Sequence, residues 1–95
     1  VFAQAAQAWM MAGDAQRAFA ATTQAMAMAP DDADLLVDRA ATLGTLGRYA
    51  EAVADLDRAI RMDNGRADAF VFRAAAWRQL DRTDAARRDI ERALA

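Results

Sequence analysis

Two carboxylates stand side by side at Asp31 and Asp32, and paired carboxylates are a common device for general acid-base catalysis. This pair directly follows Pro30 and precedes an apolar-patterned segment, which is where residues that cap the amino end of a helix are found. We therefore assign the pair to helix capping and not to catalysis.

A second group of charged residues, near the carboxyl end, contains three arginines, the residue type that commonly binds phosphate. Its arginines alternate with acidic residues at spacings of three and four, which places opposite charges next to each other on a helix surface. This arrangement predicts a solvated helix face whose charges are paired internally. The members are Arg87, Arg88, Arg92, Asp84, Asp89 and Glu91.

The absence of several reactive residue types excludes most catalytic classes. The sequence contains no cysteine, histidine, serine or lysine, which removes disulfides, the usual zinc ligands and most pairs of nucleophile and base. No cofactor motif is present. We predict that the chain is not an enzyme and has no catalytic, cofactor-binding or metal site.

The charge balance excludes two further classes of partner. With a net charge of -2 and twelve basic residues, all of them arginine, the chain has no field that attracts nucleic acid or an anionic membrane surface. No apolar run approaches the roughly 18 residues of a membrane span, so direct membrane insertion is not expected. The alanine-rich, lysine-free composition suggests a GC-rich bacterial genome, and the absence of cysteine leaves cytoplasm and periplasm equally open.

An internal repeat organises the whole chain, because similar residues recur at an offset of 34. Small residues recur as Ala6, Ala40 and Ala74, as Ala18, Ala52 and Ala86, and as Ala25, Ala59 and Ala93; bulky ones recur as Phe2, Leu36 and Phe70, and as Trp9, Leu43 and Trp77. Each unit reads as two helices joined by a short turn, so the sequence predicts an all-α fold with six helices. First helices are expected near 2–12, 33–46 and 67–80, and second helices near 15–28, 49–62 and 83–94.

Turn and capping residues support these boundaries. Gly13 and Gly47 suit the left-handed residue that ends a helix, and Asp81 stands in the same column. Asp14 and Thr83 are predicted to accept hydrogen bonds from the free amides of the helices that follow them.

This pattern closely resembles the tetratricopeptide repeat over essentially the whole chain. The resemblance implies a right-handed α-solenoid of three stacked helix-turn-helix repeats, 1–32, 33–66 and 67–95, that form one continuous domain. Where the family often has leucine in the first helix, this chain has Arg39 and Arg73, whose aliphatic stems are expected to replace the leucine packing. Val1 is not a start methionine, so we expect the chain to be part of a longer protein.

The register also predicts how the large apolar residues are used. Trp9 and Trp77 could stack on a ligand, but they share the column of Leu43 and are assigned to the core. Met26, Met28 and Met62, at the ends of second helices, are likewise assigned to the core.

The resemblance further implies a concave groove lined by the first helices of the three repeats. Some family members use Lys, Arg and Asn there to hold the terminal carboxylate of heat-shock chaperones, but Asp34, Asp38, Asp68 and Phe72 occupy that surface here, so this function is not implied. By helical phase, the predicted groove residues are Gln7, Met10, Met11, Asp34, Val37, Asp38, Ala41, Thr45, Asp68, Val71, Phe72, Ala75, Arg78 and Gln79.

The leading functional hypothesis is a protein-interaction scaffold that binds a peptide or helix of a partner in this groove. Its apolar and acidic residues favour a partner that carries Arg or Lys beside apolar residues. The alternative is a structural spacer or docking segment of a larger multidomain bacterial protein.

The end of the repeat array carries a separate expectation. Arg87 stands in the column of Phe19 and Val53, which makes the last exposed face partly charged, as a terminal repeat requires. Ile90 and Leu94 nevertheless continue the apolar stripe. We expect this patch to be covered by a further helix or, as the favoured possibility, by self-association into a homo-oligomer.

Overall fold

The computed structural model describes residues 14–95, and these form five α-helices. They are α1 (Ala15–Met28), α2 (Ala33–Thr45), α3 (Tyr49–Met62), α4 (Ala67–Gln79) and α5 (Thr83–Leu94). Their ends agree with the predicted ranges to within one residue, and residues 14–95 contain no strand. The predicted helix 2–12, the sixth of the series, lies outside the described residues. Within the described range, no helix is both long and apolar enough to cross a bilayer.

Side-chain caps fix the amino ends of α1 and α2. The Asp14 carboxylate accepts a hydrogen bond from the Arg17 amide at 3.0 Å. Asp32 accepts from the amides of Asp34 and Leu35 at 2.9 and 3.3 Å, so Asp32 is the cap among the two aspartates that the sequence assigns to capping. The predicted cap at Thr83 is wrong, because α5 begins at Thr83 itself and the preceding Arg82 makes no side-chain cap.

Two turns that join the helices of a repeat share one backbone geometry. Gly47, after α2, has φ 76°, and Asp81, in the same column after α4, has φ 59°. Each is followed by an amide that reaches back five residues, Arg48 to the Leu43 carbonyl and Arg82 to the Trp77 carbonyl, both at 2.8 Å. Aspartate tolerates this left-handed conformation better than most side chains, so the turn is kept where glycine is replaced. Gly13 lies outside the described residues.

Each helix packs on the next, and α2 also contacts α4. The first helices of the second and third repeats therefore lie side by side, as a stacked array requires. Leu36, Leu43 and Leu56 fill the core with at most 2% exposure. Ala40 and Ala74, where paired helices cross, are 2% and 1% exposed, so the alanine columns mark close approach of the helices.

Some apolar residues lie elsewhere than predicted. Met26 is buried, but Met28 and Met62 are 77% and 41% exposed, so their assignment to the core is wrong. Both are the last residues of their helices, where no neighbouring helix covers them. Trp77 is half-buried, unlike its fully buried counterpart Leu43, and Trp9 lies outside the described residues.

Candidate functional site: the groove between α2 and α4

An open cleft of about 460 Å³ lies between α2 and α4, with the start of α3 at its base. Gly44 borders it, and a Cβ atom built there meets nothing within 4 Å, so the glycine contributes open space. Phe72 forms one wall and is 40% exposed. Tyr49, the first residue of α3, also lines the cleft. Of the predicted groove residues, the cleft brings together Ala41, Thr45, Phe72, Ala75 and Gln79.

Other predicted groove residues differ in their accessibility. Val71 is 52% exposed and Arg78 is also exposed, whereas Val37 is only 4% exposed and belongs to the core. The assignment of Val37 to a ligand-contacting surface is therefore corrected. Since α2 packs against α1, α3 and α4, only a narrow strip of it stays accessible. Gln7, Met10 and Met11 lie outside the described residues.

An arginine that helical periodicity does not indicate forms ion pairs with two of the three groove aspartates. Arg66, in the turn before α4, donates to Asp68 at 2.8 and 3.1 Å and also to Asp34 at the start of α2. Its guanidinium holds the pKa of Asp68 below the usual range. Asp34 and Asp68 were expected to attract a basic partner, but their charges are already used to join two repeats.

The third groove aspartate, Asp38, is different. It is half-buried, and within residues 14–95 its carboxylate makes no ion pair with an arginine. The segment 1–13 contains no basic side chain that could serve instead. Burial, and then the nearby charge of Asp34, raises the pKa of Asp38 above its ordinary value, and the more distant charge of Arg66 offsets only part of this rise. A cation placed in the groove would stabilise the charged form of this residue.

Two ion pairs, each between a partly exposed arginine and a buried aspartate, recur with the repeat. Arg39 of α2 makes a two-pronged contact with Asp55 of α3 at 2.7 and 2.8 Å. Arg73 of α4 makes the same contact with Asp89 of α5, again at 2.7 and 2.8 Å. These arginines stand where the family often has leucine, so the position adds a charge-assisted contact to the expected packing of the aliphatic stem.

Arg73 has an additional partner, and the sequence provides no equivalent partner for Arg39. Its remaining nitrogen, Nη1, donates to Asp57 of α3 at 2.8 Å, so one guanidinium connects α3, α4 and α5. The position one repeat before Asp57 is Thr23, which has no carboxylate. The contact with the preceding second helix is therefore specific to the junction between α3 and α4.

The outer face of α5 has the mixed character expected of it. Arg87 is exposed and pairs with Asp84 at 3.0 Å, whereas its counterpart Val53 is buried. Ile90 and Leu94 are 42% and 82% exposed. In the part of the chain that the structure describes, no group of three or more acidic residues is placed to hold a metal ion.

The geometry agrees with solved structures of one family. Residues 33–66 match the family model described as the tetratricopeptide repeat. The second TPR of Spaghetti (RPAP3) bound to the HSP90 peptide SRMEEVD is 27% identical, with a TM-score of 0.94, covering 98% of this chain and 86% of that one. The first TPR of the same protein, with the same peptide, is 25% identical with a TM-score of 0.95, covering 98% and 74%.

A third similar structure is the TPR2B domain of yeast Sti1 in complex with pHsp70. It is 27% identical, has a TM-score of 0.93, and the match covers 97% of this chain and 74% of that one. No curated protein matches the sequence. The resemblance to the tetratricopeptide repeat is thus confirmed, by the family model over residues 33–66 and by the likeness of the helical fold of residues 14–95 to solved TPR domains.

Proposed function

We propose that this chain is a protein-interaction scaffold that binds a peptide segment of a partner in the groove between α2 and α4. The observation that carries the proposal is the open cleft of about 460 Å³ beside an aspartate, Asp38, that makes no ion pair with an arginine of residues 14–95. The similar TPR domains of Spaghetti and Sti1 are in complexes with chaperone peptides, which supports a peptide as the class of ligand.

The order of residues along α2 specifies the ligand further. Asp38, Ala41 and Thr45 follow the spacing i, i+3, i+7, so the carboxylate lies about one turn from the wall of the cleft. An apolar side chain in the cleft with Arg or Lys next to it satisfies both features. The acidic peptide SRMEEVD, which the Spaghetti domains bind, would instead bring its carboxylates towards Asp38. The proposed ligand is therefore basic and apolar, and differs from the peptides in those complexes.

Replacing Asp38 tests this choice of ligand. We expect Asp38→Asn to weaken binding of the probe peptide Ac-Gly-Arg-Leu-Arg-Gly-NH2 roughly threefold to tenfold, because one charge-assisted contact is lost. Titration calorimetry on the intact chain at low salt measures the effect. Asp84→Asn, which makes the same charge change on α5, is the matched control and should leave the affinity unchanged.

The acid dependence of binding adds an internal check. Because the pKa of Asp38 is raised, protonation removes its charge at a higher pH than for an ordinary aspartate, and binding weakens as the pH falls through that value. The Asp38→Asn variant should lose this dependence.

Ala75→Leu, at an exposed position in the cleft wall, should also reduce binding of the probe peptide by filling the cleft. Equal affinity of the parent chain, Asp38→Asn and Ala75→Leu for the probe peptide would disprove the groove as the site.

A second candidate role, association of two copies through α5, is favoured by the exposed Ile90 and Leu94. Arg87 and Glu91 lie one turn apart on either side of Ile90. In an antiparallel pair of α5 helices, each Arg87 would face the partner's Glu91, with the two Ile90 side chains between them.

Sedimentation across micromolar concentrations tests this association. The parent chain should show a concentration-dependent increase in mass, and Ile90→Glu with Leu94→Glu should stay monomeric because charge is placed in the apolar contact. Arg88→Glu, elsewhere on α5, is a control for the change in charge. A parent that is monomeric at every concentration contradicts this candidate and leaves the groove proposal intact.

A further inference from the structure

A second cleft, of about 370 Å³, lies between the start of α3 and the end of α4. It is lined by Ala50, Val53, Trp77, Leu80 and Arg82, none of which lines the cleft between α2 and α4. Leu80 is 37% exposed and Trp77 is half-buried, so an apolar surface is accessible here.

The junction one repeat earlier, between α1 and α2, shows which side chains fill the corresponding site. The counterparts of the cleft residues, 34 positions earlier, are Gln16, Phe19, Leu43, Leu46 and Arg48. There the Phe19 ring packs against the core, and the Arg48 guanidinium lies over it at 4.8 Å from the ring centroid. Glu51 holds that guanidinium in place with contacts of 2.6 and 2.9 Å. The filled site therefore consists of a ring, a guanidinium and a carboxylate.

The later repeat keeps the guanidinium and lacks the other two groups. Val53 replaces the ring of Phe19, and Ala85 replaces the carboxylate of Glu51. Arg82, the counterpart of Arg48, is exposed, and among residues 14–95 no carboxylate pairs with its side chain. Asp84, two residues after Arg82, pairs with Arg87 instead. Residues 1–13 contain no acidic side chain to complete the site.

We propose that this second cleft binds a peptide segment of a partner in which an aromatic residue stands beside an acidic one. The ring enters the cleft beside Val53, which is smaller than its counterpart Phe19 but only 7% exposed, and packs against the accessible surfaces of Trp77 and Leu80. The carboxylate pairs with Arg82, which then lies over the ring as Arg48 lies over Phe19. The ligand supplies the two groups that the chain itself supplies one repeat earlier.

The probe for this site is the peptide Ac-Gly-Phe-Glu-Gly-NH2, titrated into the ¹⁵N-labelled chain. The expected result is a set of shifts centred on the Trp77 indole N–H and the Arg82 Nε–H, because both groups border the cleft. Peptides with alanine for phenylalanine, or glutamine for glutamate, should bind roughly threefold to tenfold more weakly. Equal affinity for the glutamine peptide, or shifts centred elsewhere, would overturn the proposal.

Variants of the chain separate this site from the groove. Arg82→Met keeps the length of an exposed side chain and should reduce binding of the probe by the same factor, whereas Arg87→Met, an exposed arginine on α5, should not. Val53→Phe with Ala85→Glu rebuilds the arrangement of the preceding repeat and should abolish binding. Asp38→Asn should leave it unchanged, so this proposal and the groove proposal stand or fall separately. Full binding by Arg82→Met would refute the assignment.

Discussion

Replacing Arg73 with alanine is expected to lower the free energy of unfolding by about 3 to 5 kcal/mol, the range for breaking one side of a buried ion pair. The side chain of Asp89 is 7% exposed and loses its cation in this variant. Asp57 also loses its contact at 2.8 Å, so α3, α4 and α5 are affected together. Urea denaturation followed by circular dichroism measures the change.

Two controls separate the buried charge from loss of the side chain alone. Arg73→Ala combined with Asp89→Ala should recover part of the loss, because no buried carboxylate is left unpaired. The first repeat has this combination, with Ala5 and Ala21 at the two positions. Arg87→Ala, which breaks an exposed pair on α5, should cost less than about 1 kcal/mol. If Arg73→Ala costs no more than Arg87→Ala, the ion pair does not stabilise the array.

The second large effect is expected at Leu56, which is 1% exposed at the interface of α3 with its neighbours. Leu56→Ala should destabilise the chain by about 2 to 5 kcal/mol, through lost burial and the cavity left behind. The same urea titration gives the value, and an unchanged slope would show that the extent of unfolding is the same.

Ile90 is the matched control, because it occupies the position of Leu56 one repeat later. It is 42% exposed, since no described helix packs over α5 from that side. Ile90→Ala, measured at a concentration where the chain is monomeric, should cost about 1 kcal/mol or less. Similar losses for the two variants would mean that stacking of the next repeat adds little to burial at this position.

The helices could be predicted from the sequence because their signals are local or periodic. Gly47 ends α2, Asp32 starts it, and the 34-residue register transfers both boundaries to α4. The same register places Asp81 in the left-handed turn. The cap predicted at Thr83 is wrong because it rests on residue type alone. The register aligns Thr83 with Tyr49, the first residue of α3, and α5 does begin at Thr83.

The site was less predictable because its charges are paired over long distances in sequence. Arg66 joins Asp34 and Asp68 from a turn, and nothing in helical phase indicates that a turn residue reaches across two repeats. The pairs of Arg39 with Asp55 and of Arg73 with Asp89 did leave a signal. Two arginines and two aspartates, each 34 residues apart, form columns of opposite charge that a comparison of columns would have found.

The three-way contact of Arg73 has a consequence for the cooperativity of unfolding. In a linear array, two neighbouring repeats unfold together only when the interface between them is strongly stabilising. Arg73 adds such an energy between α3 and the α4–α5 hairpin, whereas Thr23 offers no carboxylate at the corresponding junction of α1 with the α2–α3 hairpin. We therefore expect amide hydrogens of α2 to α5 to exchange in one common opening, while those of α1 exchange through a separate opening of lower free energy.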